Sequence, residues 1–414
     1  MTKRYLILIF LLISKTLSAQ YLTWEEYLDN ALGGLNTITT AVPFLQIAPD
    51  SRAGAMGDLG VATSPDVNSF HWNPAKYAFI EDQVGAAVSY VPWLRALGIS
   101  DINLGYLTGY YRLNDFETVA AELRYFNLGE IIFTNRDAEV IGQYNPHELA
   151  FAAAYARKLS DNFSMGLAGR YIYSNLTGGA MAGEVATVAG QSIAADLSAY
   201  YTSSLDEMTD ISLGINISNM GDKLSYTDIY NETGADFIPI NLRLGTCIGL
   251  QLDDYNRMSI GVDMNKLLVP TPPIIDNRKT IDSAGVIVNN PNQGQIIAGE
   301  DPNVSVVSGM IQSFYDAPDG FKEELREINY SAGLEYWYNE QFALRTGYFF
   351  EHNTKGGRKF YTIGAGMRYT VFEIDISYLI NANRAVSGAG NNPLANTMRF
   401  SLAFDIGAIQ ADGF

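Results

Sequence analysis

From about residue 83 onward the chain reads as about fourteen short amphipathic stretches, the clearest of which alternate apolar and polar residues strictly. From Thr397 to Ile406, Met398, Phe400, Leu402, Phe404 and Ile406 take one face, and Thr397, Arg399, Ser401, Ala403 and Asp405 the other. Phe372, Ile374, Ile376, Tyr378 and Ile380 oppose Glu373, Asp375, Ser377 and Asn381 in the same way. Ile211, Leu213, Ile215 and Ile217 form a third stripe, and Phe342, Leu344, Tyr348 and Phe350 a fourth. A period of two is the signature of a strand with two unlike faces. Further strands are expected near Val84–Tyr90, Asn103–Arg112, Glu117–Leu128, Glu148–Lys158, Phe163–Asn175, Ile193–Ser203, Ile240–Leu252, Met258–Lys266, Asn329–Tyr338 and Phe360–Tyr369. Each is about ten residues long, the length a tilted strand needs to cross a bilayer core.

The connections sharpen the reading. After even-numbered strands they are tight, as at Leu113-Asn114-Asp115, Leu159-Ser160-Asp161, Asp253-Asp254-Tyr255 and Asn339-Glu340. After odd-numbered strands they are long: Gly129–His147, Thr177–Gln191, Met220–Pro239, and Leu267–Arg326 with 60 residues. A soluble β-sandwich also alternates in hydropathy, but its loops need not alternate in length. Short turns on one side and long loops on the other are the asymmetry of an outer-membrane barrel. In lipid a sheet must close on itself, because the hydrocarbon offers its edges no hydrogen-bond partner. The expected fold is therefore all-β: a 14-stranded antiparallel transmembrane β-barrel.

Three segments follow. Residues 1–19 read as a secretory signal: Lys3 and Arg4, then the apolar run Leu6–Ile13, then Leu17-Ser18-Ala19 before Gln20. Residues 20–82 form an N-terminal segment expected to plug the lumen, and 83–414 the barrel. The plug expectation rests on the glycines and small residues between Ala41 and Ile80, which let backbone pack in a confined space. Within it Asp50 and Arg52 are expected to pair, Gly54 and Gly57 to allow close packing, and Trp72, Asn73 and Pro74 to form a packed turn.

Charge excludes one class of partner. The chain has a formal net charge of −18; without Lys3, Arg4 and Lys15 there remain 24 basic against 45 acidic residues. A nucleic-acid surface needs the opposite balance. The 26 Tyr and 20 Phe suit the aromatic girdles of a barrel. His71, His147 and His352 are too scattered for a metal site, and no Ser-His-Asp set is evident, so no metal, cofactor or catalytic residue is expected. Gly54-Ala55-Met56-Gly57-Asp58-Leu59-Gly60 has glycine spacings of a nucleotide loop, but no helix-forming stretch follows it. Inward-facing Arg345, Arg368, Arg399, Glu335, Glu351, Asp375 and Asp405 are expected to form a charge ladder in the lumen.

The run from Pro43 to Phe79, PFLQIAPDSRAGAMGDLGVATSPDVNSFHWNPAKYAF, resembles the N-terminal region of the PorV (LptO) family. Its most specific pieces are APDSRAGAMGD and VNSFHWNPAKY, and the likeness extends over the mature chain in length and strand count. The resemblance implies a FadL-like barrel with an N-terminal plug, resident in the outer membrane of Bacteroidetes and serving the type IX secretion system. It implies a non-enzymatic carrier that meets cargo by its C-terminal domain at the SprA (Sov) translocon and delivers it to the PorU-containing attachment complex. Outer-membrane lipid and lipopolysaccharide are the surroundings it implies, and an enzyme acting on lipopolysaccharide is the least supported reading. A FadL-like channel for hydrophobic small molecules is the alternative; a continuous apolar tunnel would favour it, and a lumen filled with plug and charge would favour the carrier.

The outer loops are the candidate cargo surface. A loop of sixty residues inside a compact domain is uncommon without a function. The residues expected to meet a partner are Ile131, Ile132 and Phe133 in one loop, and Val286, Ile287, Val306, Met310, Phe314 and Tyr315 in the longest. Asp319–Arg326 is expected to form a short helical turn.

Overall fold

The computed structural model describes residues 35–134, 137–179, 181–182, 185–227, 234–275, 279–281, 287–289, 294–382, 396–405 and 407. The signal segment 1–19, the stretch 20–34 and Val286 lie outside them. The chain divides into two units, 1–36 and 37–414, and the second holds the barrel.

Fourteen antiparallel strands close into one barrel. They are β1 (Val84–Pro92), β2 (Ile102–Asn114), β3 (Glu117–Leu128), β4 (His147–Ser160), β5 (Phe163–Asn175), β6 (Gly190–Ser204) and β7 (Thr209–Gly221). The second half adds β8 (Asn241–Gln251), β9 (Asn256–Leu267), β10 (Asn329–Tyr338), β11 (Phe342–Phe350), β12 (Lys359–Tyr369), β13 (Phe372–Asn381) and β14 (Met398–Asp405). Closure is made by β1 on β14, from Gly85 opposite Asp405 to Tyr90 opposite Phe400. β3, β5, β10 and β13 have the bounds read from the sequence. β6 starts earlier than Ile193, at Gly190, because Gly190 and Ser192 carry no apolar signal but still pair with Ser174 and Ile172.

The alternation has the sense a membrane demands. On β13, Phe372, Ile374, Ile376 and Ile380 are exposed outward, while Glu373, Asp375, Ser377 and Leu379 are buried inward. β14 repeats the pattern, with Met398 and Phe400 out and Arg399 and Ser401 in. An apolar outer face with a polar interior is stable only in lipid. Among the described residues no helix is long and apolar enough to cross a membrane.

The interior is filled by residues 41–80, which hold only short helical turns: Pro43–Gln46, α1 (Ser51–Gly54), α2 (Ser69–Trp72) and Pro74–Phe79. Phe44, Leu45, Leu59, Phe70 and Tyr77 of this stretch are all buried. It binds strands on every side: Ser51 N donates to Ser401 on β14 at 2.9 Å, Gly57 N to Thr362 on β12 at 2.8 Å, and Ala75 N to Ser198 on β6 at 3.0 Å. Wall glycines make room for its backbone. A Cβ on Gly347 of β11 would run into the Met56–Gly57 peptide. Gly57 adopts φ +74°, a left-handed conformation that glycine accepts, and a Cβ there would stand 2.7 Å from the Tyr348 carbonyl oxygen.

Candidate functional site

Asp50 and Arg52 are not paired with each other, contrary to the sequence reading. Asp50 is the N-cap of α1: one oxygen accepts from Ala53 N at 2.9 Å and the other from Trp72 Nε1 at 2.7 Å. A carboxylate at a cap is aimed along the helix axis at orphan N–H groups, away from the side chain two residues on. Arg52 instead reaches Asp66 at 2.7 Å and Glu335 on β10 at 2.8 Å. Asn73 accepts from Ala75 N at 3.1 Å and donates to the Val61 and Ala199 carbonyls, so the turn that starts at Pro74 is pinned to β6. A Cβ on Gly54 would meet the Arg399 side chain, 2.8 Å from its Cδ.

The expected charge ladder is present and continues into the N-terminal segment. Arg345 bonds Glu335 at 2.6 Å and Asp375 at 2.5 Å; Arg368 bonds Glu373 at 2.6 Å; Arg399 bonds Asp58 and the Gly54 carbonyl, both at 3.1 Å. Glu351 is held by Arg358 at 2.9 Å, and Asp405 accepts from Tyr110 at 3.1 Å. A second cluster, which single-sequence parity cannot assemble, joins Arg124 to Glu122 at 2.9 Å and to His71 Nδ1 at 2.7 Å. Arg170 bridges Glu122 and Asp196, each at 3.0 Å. Asp263 on β9 accepts from the N–H groups of Gly60 and Val61 at 2.7 and 3.0 Å.

This layer separates two vestibules. The outer one, about 520 Å³, is lined by Phe44, Trp93, Phe126, Arg358, Phe360 and Arg399 among others; the inner one, about 450 Å³, by Arg52, Asp66, Tyr110, Arg368, Glu373 and Asp405 among others. No residue lines both.

At the outer end an apolar cluster seals the top of the interior. Ala41, Val42, Phe44, Leu45 and Ile47 pack with Phe126, Ile172, Phe237, Ile238, Leu268 and Val269. The longest loop contributes α3 (Val306–Gln312), capped by the Ser305 hydroxyl, and α4 (Phe321–Arg326), inside the expected helical turn. Val306 and Met310 turn toward this cluster, whereas Val307, Ile311, Phe314 and Tyr315 are exposed. Ile287 lies in a two-stranded ribbon, Ile287–Asn289 with Lys279–Ile281.

Polar groups staple the loop down. Lys266 bonds Glu324 at 3.0 Å and Glu327 at 2.6 Å, and Lys355 bonds Glu323 at 2.6 Å and Glu327 at 2.9 Å. Thr271 Oγ1 donates to Glu327 at 2.7 Å, and Thr271 N to Asp316 at 3.1 Å. Burial pushes the Asp316 carboxyl up to about 6, with Glu324 and Glu327 adding to the rise against the Thr271 N–H bond.

Ile131, Ile132 and Phe133 fall together in a second ribbon, Ile131–Thr134 paired with Val140–Tyr144. All four residues of its first strand are exposed, and among the described residues that strand pairs with no other. The ribbon is tied down at its base, where Glu130 N donates to Asp101 at 2.9 Å and Tyr144 to the Asn175 carbonyl at 3.2 Å.

Comparison with known proteins places these features in a family. No curated protein matches the chain. Among solved structures, the toluene transporter TbuX of Ralstonia pickettii is similar at 12% identity and a TM-score of 0.46, covering 86% of this chain and 97% of its own. The toluene transporter TodX of Pseudomonas putida gives 12% and 0.44 over 86% and 95%. A FadL homologue of Pseudomonas aeruginosa gives 12% and 0.42 over 89% and 99%. The family model described as type IX secretion system protein PorV matches residues 31–274, more than half of the chain. The chain is an outer-membrane β-barrel that belongs to the PorV family of type IX secretion system proteins.

Proposed function

We propose that the chain is a non-enzymatic shuttle that binds the C-terminal domain of secreted cargo at the SprA (Sov) translocon and hands it to the PorU-containing attachment complex. The observation that carries this reading is the occupied lumen. A channel for hydrophobic small molecules needs a continuous apolar path, but here buried ion pairs, Arg52–Glu335 from segment to wall and Arg345–Asp375 along the wall, occupy the interior, and the two vestibules share no lining residue. In this reading Asp50, Arg52, Gly54, Gly57, Trp72, Asn73 and Pro74 seat the plug, and the work is done on the outer face.

The Ile131–Thr134 strand is the grip. Its free edge offers backbone donors and acceptors, and its apolar side chains lie on both faces. An exposed edge of this kind recruits an extended strand by adding it to the sheet, which suits a cargo domain built of β-strands. Extraction in mild detergent followed by capture on an immobilised cargo C-terminal domain tests the proposal. The chain is expected to be retained, together with the translocon or the attachment complex. A chain that passes through unbound and runs alone overturns it.

A further inference from the structure

Lys266 occupies an outward position on β9. It continues the row Ile260, Val262 and Met264, all of which are exposed to lipid. Lys266 itself is only 7% exposed, because Glu324 and Glu327 bond it and the Phe314 ring lies 5.8 Å from its Nζ. The neighbouring strand repeats the transition: Leu244 on β8 is exposed, and Leu242, one outward position higher, packs into the cluster that receives Val306 and Met310. The α3–α4 segment therefore sits on the outer rim at β8 and β9, with one flank over the mouth of the interior and the other directly above the apolar belt.

The polarity of α4 is inverted relative to a helix that faces water. Its buried residues are Glu323 and Glu324, turned toward Lys355 and Lys266, with Glu327 just beyond its end. Its exposed residues include Phe321, at 75%, and Leu325, four positions apart on one face. Val307 and Ile311 on α3 are spaced in the same way and are also exposed. A helix bordered by water puts its apolar stripe inward; one whose outer solvent is lipid does the reverse.

We infer that α3–α4 is a membrane-surface shelf, bound to the outer leaflet through Val307, Ile311, Phe314, Tyr315, Phe321 and Leu325. Continuity with the lipid-facing belt below Lys266 selects lipid as the occupant. Aromatic residues at this level act as interfacial anchors, and a short helix lying in the interface plane buries its apolar face among head groups and upper acyl chains. The shelf holds the α3–α4 part of the longest loop down at one side of the barrel and leaves the Ile131–Thr134 ribbon free to meet protein.

The test uses the full chain in phospholipid nanodiscs, with Cys247→Ser and one of Phe321→Cys, Phe314→Cys or Ile132→Cys carrying an environment-sensitive nitrobenzoxadiazole label. Retained heat-modifiable migration in detergent gels serves as the check on folding. Labels at positions 321 and 314 are expected to emit blue-shifted light and to lose emission when lipids with a spin label near the head group are added. The label at position 132 is expected to keep its emission with such lipids and to lose it to aqueous iodide. Iodide quenching at position 321 with no response to spin-labelled lipid overturns the shelf. So does protection at position 321 that arises only when a cargo domain or translocon is added, since that result assigns the surface to a protein.

Discussion

Arg52 and Glu335 lie 283 residues apart and meet inside the barrel through two hydrogen bonds, Nε to Oε2 at 3.0 Å and Nη2 to Oε1 at 2.8 Å. Each member has a second partner, Asp66 for Arg52 and Arg345 for Glu335, so removing one leaves the other only partly compensated, at a cost below the roughly 3–5 kcal/mol of a fully unpaired buried charge. Glu335→Gln is therefore expected to lower the urea midpoint of the purified barrel and expose the N-terminal segment to protease. Replacing both, as Arg52→Met with Glu335→Leu, is expected to recover only part of the loss, since Asp66 then lacks Arg52 and Arg345 keeps Asp375 alone of its two close carboxylates. Equal destabilisation in the single and double variants would show that the pair contributes nothing specific.

Gly347 and Gly169 make a controlled comparison within one wall. A Cβ at Gly347 meets the Met56–Gly57 peptide, whereas one at Gly169 meets nothing within 4 Å. Gly347→Ala is expected to cost about 1–3 kcal/mol, as overpacking of a filled interior does, and Gly169→Ala to leave stability unchanged. The heat needed to shift migration in detergent gels reads both.

The Asp316 carboxyl, raised to about 6, makes loop docking depend on pH. An undocked aspartate titrates near 3.9, so the docked state holds its proton more tightly. The contribution of Asp316 to docking is largest below about pH 4 and falls as pH rises toward 6, where the buried carboxyl ionises, while the Lys–Glu staples hold the loop through that rise. Proteolysis between Pro273 and Phe321 should accelerate over that window, and Asp316→Asn, which keeps an acceptor for Thr271 N, should flatten the profile.

Ile132→Asp with Phe133→Asp places charge on the ribbon without touching the barrel interior. Cargo C-terminal domain capture is expected to fall roughly tenfold or more, equivalent to about 1.4 kcal/mol, with the heat stability of the barrel unchanged. Undiminished capture would remove the ribbon from the proposed binding surface.

The strands were legible because lipid on one side and a polar lumen on the other force a period of two, and the alternation of loop lengths then fixes which end faces outward. The Asp50–Arg52 pairing misled because both groups are close in sequence, yet a cap residue and the side chain two positions on do not share a helix face. Of the true partners, Asp66 lies fourteen residues on in an irregular stretch, and the alternation of β10 shows only that Glu335 faces inward. The Ile131–Thr134 strand is not legible as one, since it has four residues and no polar alternation. α4 was expected only as a helical turn, since its inverted polarity acquires meaning once Lys266 is seen beneath it. The Arg124–Glu122–Arg170 cluster draws on β3 and β5, and nothing local connects those positions.

The enclosed segment has a consequence for biogenesis. It is bonded to β6, β9, β12 and β14 at once, and the β1–β14 seam closes the wall around it. Residues 41–80 are therefore expected to be in place before the seam closes, with the strands laid around them. A barrel assembled without residues 37–82 is expected to stay heat-labile when those residues are supplied afterwards as a separate peptide, because the order of events cannot be reversed.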